Sequence, residues 1–329
     1  MVAGENLRVE ILDRFLAMPR WAISFLCLTC VWAGLSFAVL AVAGEETQPG
    51  QVSVARADAI PLGSYFRYYE DRDANLQLSQ LLGISASEML PVNRPVANFG
   101  YTRSAYWFRV TLTDLNSDVS RLLEISYALL DHIDVWYVSD GVILKHSRTG
   151  DHESFSHRDV QHRYFLFPVP RVPGNSLDVW VRVESEGTME VPATLWRKDA
   201  FDQKEQHVLI LKGIYYGVII VMILYNSFIY FSVREVAYFY YVCYALSLLF
   251  FQAGIDGFTY QWFWPDLTSF NEVSFAIFVA FIIIFICLFS NTFLHLASSF
   301  PRLSQMMLGA ALVGVLMAVA AMVIPYSDA

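Results

Sequence analysis

The 329 residues are 56% hydrophobic and only 16% charged, with a formal net charge of -9 and a pI near 5.2. Soluble domains carry about a quarter charged residues, so a wholly soluble protein is excluded, and an acidic balance without a basic stripe excludes a nucleic-acid partner. The four cysteines, Cys27, Cys30, Cys243 and Cys287, all fall in apolar runs, which leaves the polar part of the chain without a disulfide framework.

In chain order, residues 1–43 read as a targeting segment. Arg14 and Arg20 precede an apolar run from Trp21 to Ala43 that ends Ala41-Val42-Ala43, a small-x-small cleavage pattern after a basic flank. A secretory signal peptide is expected or, because the run is long, a retained N-terminal membrane anchor. Both readings put the polar domain after Ala43 outside the cytoplasm. Cys27 and Cys30 have C-x-x-C spacing, but their apolar flanks hold no partner His or Cys and point to neither redox nor zinc chemistry.

Residues 44–207 have the charge content of a soluble domain. A linker and first strand over 47–61 are followed by segments with period two, the mark of strands with one buried face. These are Tyr106–Thr113, Arg121–Tyr127, Ile133–Val138, Tyr164–Val169, Leu177–Val183 and Met189–Trp196, separated by turn residues such as Ser139-Asp140-Gly141 and Ser185-Glu186-Gly187. Only 77–82 suggests a helical turn. Many short strands without long helices between them predict an all-β extracytoplasmic domain, a β-sandwich or jelly roll.

Alternation assigns Tyr106, Phe108, Val110, Val179, Val181 and Val183 to the core. The opposite face repeats an aromatic-then-arginine pattern, Trp107 with Arg109 and Trp180 with Arg182, which Asp134, Trp136 and Trp196 extend depending on register. Indoles beside hydrogen-bonding Arg and Asp suit a sugar ring or another small polar ligand; packing under a loop or the membrane helices is the competing reading. On the ligand reading, Trp107→Ala abolishes binding with circular dichroism unchanged. Arg163, opening a strand, is a further candidate anchor for an acidic group. The stretch holding His146, Asp151, His152, Glu153, His157, Asp159 and His162 lacks a fixed ligand spacing and reads as a solvated loop, so no metal and no cofactor are expected. Ser185 lacks a Gly-x-Ser-x-Gly elbow and no phosphate-binding loop occurs, so the chain is not expected to be an enzyme.

From Val208 the composition becomes that of a bilayer. Apolar stretches over approximately 208–233, 236–254, 273–294 and 305–324 are each long enough to cross about 30 Å of hydrocarbon, where only internally hydrogen-bonded backbone is tolerated. With 44–207 outside, Arg234 and Arg302 fall in inner connections, and Asp256, Asp266 and Glu272 in an outer one. Lys212 is placed to snorkel to the headgroups. Asn226, Ser227, Gln252, Asp256 and Asn291 are expected to hold helices together.

Taken in order, Tyr106-Trp107-Phe108-Arg109, Ile133-Asp134-Val135-Trp136-Tyr137-Val138 with Gly141, Arg163-Tyr164-Phe165-Leu166-Phe167-Pro168-Val169, Val181-Arg182-Val183-Glu184-Ser185 and Val191-Pro192-Ala193 resemble a bacterial receptor family. The helix with Gly213-Ile214-Tyr215-Tyr216-Gly217 and Tyr225-Asn226 continues the likeness. The family is that of the seven-transmembrane receptors with diverse intracellular signalling modules, in the branch with the second type of extracellular domain. The resemblance implies a periplasmic jelly roll related to carbohydrate-binding modules, seven helices in the bacterial inner membrane and a kinase or cyclase output. Four spans by residue 329 lead us to expect a truncated member. The implied function is a sensory receptor, or its sensing half, whose partners are a small polar or carbohydrate-like ligand, membrane lipid, and a homodimer mate or cytoplasmic signalling protein. The alternative is a non-catalytic membrane adaptor whose β domain binds a partner protein.

Overall fold

The computed structural model of the chain describes residues 50–54, 57–85, 88–115, 119–172 and 174–323; the expected signal peptide or anchor over 1–43 lies outside them. The period-two segments form two packed sheets. In the larger, β3 (Arg67–Asp71), β4 (Leu90–Pro91), β6 (Ala105–Thr113), β8 (His132–Ser139), β9 (Val142–Thr149) and β11 (Ser176–Glu184) lie in the order β4-β3-β6-β11-β8-β9, and β1 (Gln51–Ser53) joins β6 in parallel. The smaller sheet runs β10 (Phe165–Pro168), β7 (Arg121–Ile125), β13 (Ala193–Arg197) and β2 (Ala59–Pro61). A ribbon of β5 (Ala97–Tyr101) and β12 (Thr188–Val191) completes the sandwich.

Between the sheets, Tyr106, Phe108, Val110 and Leu112 meet Ile133, Val135, Tyr137, Val179, Val181, Phe165, Phe167, Leu123 and Leu195 in one buried core. The expected strand over Met189–Trp196 is two strands, because Pro192 lacks the N–H a continuous ladder needs and passes the chain from the ribbon to the smaller sheet. Asp140 and Gly141, both at positive φ, make the tight hairpin that pairs β8 with β9.

Strand β13 passes directly into helix α2 (Lys198–Val233); a short helix α1 (Leu78–Leu81) precedes it in the chain. α2 starts ahead of the apolar run at Val208, since hydropathy marks where lipid begins rather than where helical backbone begins. Its polar first turns run along the sandwich. Helices α3 (Val236–Ile255), α5 (Thr268–Phe293) and α7 (Pro301–Val323) complete the four described helices long and apolar enough to cross a membrane. α4 (Phe258–Trp262) and α6 (Leu296–Ser299) lie in the connections. Small residues admit close packing: a Cβ on Gly254 would strike Phe275, and one on Gly314 would strike Ile284.

Lys212 does not reach freely for headgroups. It pairs with buried Asp256 at 2.8 Å, and the Tyr216 hydroxyl donates to the same carboxylate at 2.6 Å, which pins α2 to the end of α3. We predict that Asp256→Asn costs about 1–3 kcal/mol through the stranded ammonium, read as a lower melting midpoint in detergent; an unchanged midpoint would mean that lipid headgroups or water replace the partner. Asn226 and Ser227 donate to Met222 and Ile223 carbonyls of their own helix rather than across helices.

Candidate functional site

The strand registers put six of the expected ligand residues on one face of the larger sheet. One row across the strands reads Tyr69, Trp107, Arg182, Asp134, Arg148; the next reads Arg67, Arg109, Trp180, Trp136, His146. Rings and cations interlock between rows. The Arg109 guanidinium lies over Trp180 at 5.1 Å and that of Arg182 over Trp107 at 5.9 Å. Trp107 stacks on Trp136 at 5.1 Å, and Trp136 on His146 at 4.6 Å with nearly parallel planes.

Much of this face is covered. Residues 72–85, with α1, and then 88–89 fold back over it as a cap, and Leu78, Leu81 and Met89 close on Trp107 and Trp180, each only 1% exposed. Asp71 holds the start of the cap by accepting the Asn75 and Leu76 amides at 3.3 and 2.9 Å, and Arg182 donates to the Ala74 carbonyl at 3.0 Å. Arg109 is paired with Asp178 at 2.8 Å. Neither buried indole N–H has a hydrogen-bond partner among the described residues. Beyond the cap the stack ends on exposed His146, whose Nε2 is 2.8 Å from Asp134, with half-buried Trp136 beside it.

Arg163 and Trp196 do not join that face; they belong to the junction with the membrane helices. Trp196 lies on the outer face of the smaller sheet, donates its indole N–H to Glu124 at 2.7 Å and packs on Phe201 of α2. Lys204 of α2 pairs with the same Glu124 at 2.8 Å. Arg163 is already occupied by an acidic group of its own chain: its side chain is 2% exposed and Nη2 contacts both Glu205 oxygens, at 2.9 and 3.0 Å. The guanidinium also covers the rings of Tyr164 and Phe258. At Gly257 (φ 77) the α3–α4 turn passes so near the Arg163 backbone that a Cβ would collide.

The stretch expected to be a solvated loop is largely packed against the same junction. Asp151 and Arg158 are buried, the Tyr260 hydroxyl donates to the Glu153 carbonyl at 2.6 Å, and the Ser154 hydroxyl donates to Asp266 at 2.7 Å. Burial, with Asp131 close by, pushes the Asp151 carboxyl up to about 7. Burial likewise holds the Arg158 guanidinium down to about 10. His146 is not in a loop at all but on edge strand β9. Asp131, Arg158 and Glu205 escaped the sequence reading, and Asp151 was expected in a solvated loop but is buried; the clue for Glu205 was a carboxylate just ahead of a bilayer-length apolar run.

These contacts place the sandwich and the 256–267 connection on the same side of the four helices. A family model described as 7TMR-DISM extracellular 2 matches residues 63–197, and one described as 7TM diverse intracellular signalling matches residues 209–329. No curated protein matches the chain. Among solved structures, TmCBM61 in complex with beta-1,4-galactotriose is similar at 14% identity over 41% of this chain and 90% of that one, with a TM-score of 0.24, a likeness too loose to carry any inference. The protein is a multi-pass membrane protein with an extracellular β domain. Since the two family models describe successive parts of one receptor architecture and between them match most of the chain, it belongs to the seven-transmembrane receptors with diverse intracellular signalling modules, as a member with the second type of extracellular domain.

Proposed function

We propose that this receptor is a non-catalytic sensor of the bacterial inner membrane, whose periplasmic sandwich binds a small polar, carbohydrate-like ligand. The observation that carries the reading is the checkerboard of Trp107, Arg109, Asp134, Trp136, Trp180 and Arg182 on one face, with two indole N–H groups lacking partners among the described residues. A ligand first engages the open margin, His146 and Trp136, and reaches Asp134 and the deeper indoles if the cap lifts. Occupancy passes to α2 because β13 runs into it without a linker and Arg163–Glu205 and Glu124–Lys204 clamp its first turns. A ligand shifts helix packing only as far as it binds one arrangement better than the other.

The test is calorimetry on the full chain in detergent against a panel of neutral and acidic oligosaccharides. Saturable binding lost in Trp136→Ala, with melting midpoint and circular dichroism retained, is the expected result; binding unaffected by that substitution would overturn the site. A second reading, an adaptor that docks a partner protein, is favoured by edge strand β9, where Val142, Ile143 and Leu144 are 61, 49 and 42% exposed. Co-purification of a partner that survives Trp136→Ala but not Ile143→Lys would support it.

A further inference from the structure

Where the chain turns from β9 toward the membrane, a carboxylate oxygen from each of Asp131 and Asp151 and an imidazole nitrogen of His152 lie within 4.8 Å of one another. Asp131 has conventional partners, accepting the Ser185 hydroxyl at 3.0 Å and the Glu186 amide at 2.7 Å. Asp151 does not. It is 7% exposed, its Oδ1 is sealed from solvent without a hydrogen-bond partner, and it makes no ion pair among the described residues. A buried acceptor with no donor is rare in folded proteins and calls for a cause; two adjacent buried carboxylates repel unless one takes up a proton or a cation stands between them. His152 in turn sets Nε2 3.3 Å from Glu272 Oε1, which brings a third carboxylate to the group, this one from membrane helix α5.

We propose that Asp131, Asp151 and His152 form a binding site for a zinc-class divalent metal ion, with Glu272 tying the site to α5, so that the metal fastens the sandwich to the third described span. The donor set decides the class. Zinc takes imidazole nitrogen and carboxylate oxygen in a small tetrahedral shell at about 2.0–2.2 Å, whereas calcium takes about 6–8 oxygens. Donors in a tetrahedral zinc shell stand about 3.4 Å apart, so a pair at the 4.8 Å limit closes by about 1.4 Å on loading. The site bridges two parts of the chain that also meet here through hydrogen bonds of the Phe155 amide to the Pro265 carbonyl, Ser154 to Asp266 and the Tyr260 hydroxyl to the Glu153 carbonyl. Metal occupancy is therefore a second input to the helices, separate from the indole face.

The test uses the full chain, free of a polyhistidine tag, purified in detergent, stripped with chelator and titrated with zinc chloride, with calcium chloride in parallel. Calorimetry is expected to show a single zinc ion per chain and no saturable calcium binding. Glu272→Gln should weaken zinc by about tenfold or more, and Asp151→Asn and His152→Gln by more than that. Asp151→Asn keeps the side-chain shape and removes a buried charge, so its fold is retained and circular dichroism verifies this. Zinc should raise the melting midpoint of the unsubstituted protein and leave that of Asp151→Asn unmoved. Equal zinc affinity in the unsubstituted protein and Asp151→Asn, a preference for calcium, or no saturable zinc binding would each overturn the proposal.

Discussion

Glu205→Ala should destabilise the protein by about 3–5 kcal/mol, the loss expected when one partner of a buried ion pair is removed and the other stays charged. The Arg163 guanidinium is 2% exposed and Glu205 is its only ion-pair partner among the described residues. Two of its nitrogens, Nε and Nη1, already lack hydrogen bonds, so nothing nearby is placed to take over the charge. The loss would appear as a lower melting midpoint in detergent, with faster hydrogen exchange over 158–166 and the first turns of α2. The double substitution Arg163→Met with Glu205→Leu should recover most of it, because both charges leave together. A loss no larger than the roughly 0–1 kcal/mol of an exposed pair would show that water already reaches Arg163. Because this pair lies between the sandwich and α2, the double variant should fold yet pass on less of any ligand signal.

The division into a strand-rich domain and bilayer-length helices was legible in the sequence because both arise from local pattern: alternation in Ala105–Thr113 and Ser176–Glu184, and charge-free length after Val208. The face carrying Trp107 and Trp180 was legible too, since side chains two apart must share it. What covers that face was not. Leu76, Leu78, Leu81, Ile84 and Met89 are an unremarkable apolar scatter until the chain folds back from Asp71, and alternation says which residues share a face without saying whether water lies over it. Strand β9 was missed because its first residues, Val142 to Leu144, are apolar without alternation at a sheet edge, and the polar residues after them read as loop. Arg163 with Glu205, and Lys212 with Asp256, are joined only by tertiary structure. Over such separations no periodicity links a guanidinium on a strand flank to a carboxylate at the foot of a membrane helix.

Trp107→Ala is the other substitution with a large expected effect, about 3–5 kcal/mol for emptying a buried indole site. An open ligand platform would let this change read out binding with folding untouched; the structure makes stability the primary readout, because Trp107 supports the cap through Leu78, Leu81 and Met89 and stacks on Trp136. Trp107→Phe should cost markedly less, since its indole N–H has no partner to lose among the described residues. The two substitutions separate two roles for the cap. If the cap is a fixed plug, Trp107→Ala lowers global stability and exchange rises across the whole sandwich. If it is a lid, exchange rises first over 72–85 while β6 and β11 stay protected by the core on their other face, and oligosaccharide binding weakens but persists at the His146 margin. A lid is the outcome the sensing role requires, because a ligand that never displaces the cap meets only Trp136 and His146 and leaves the arginine–indole rows unused.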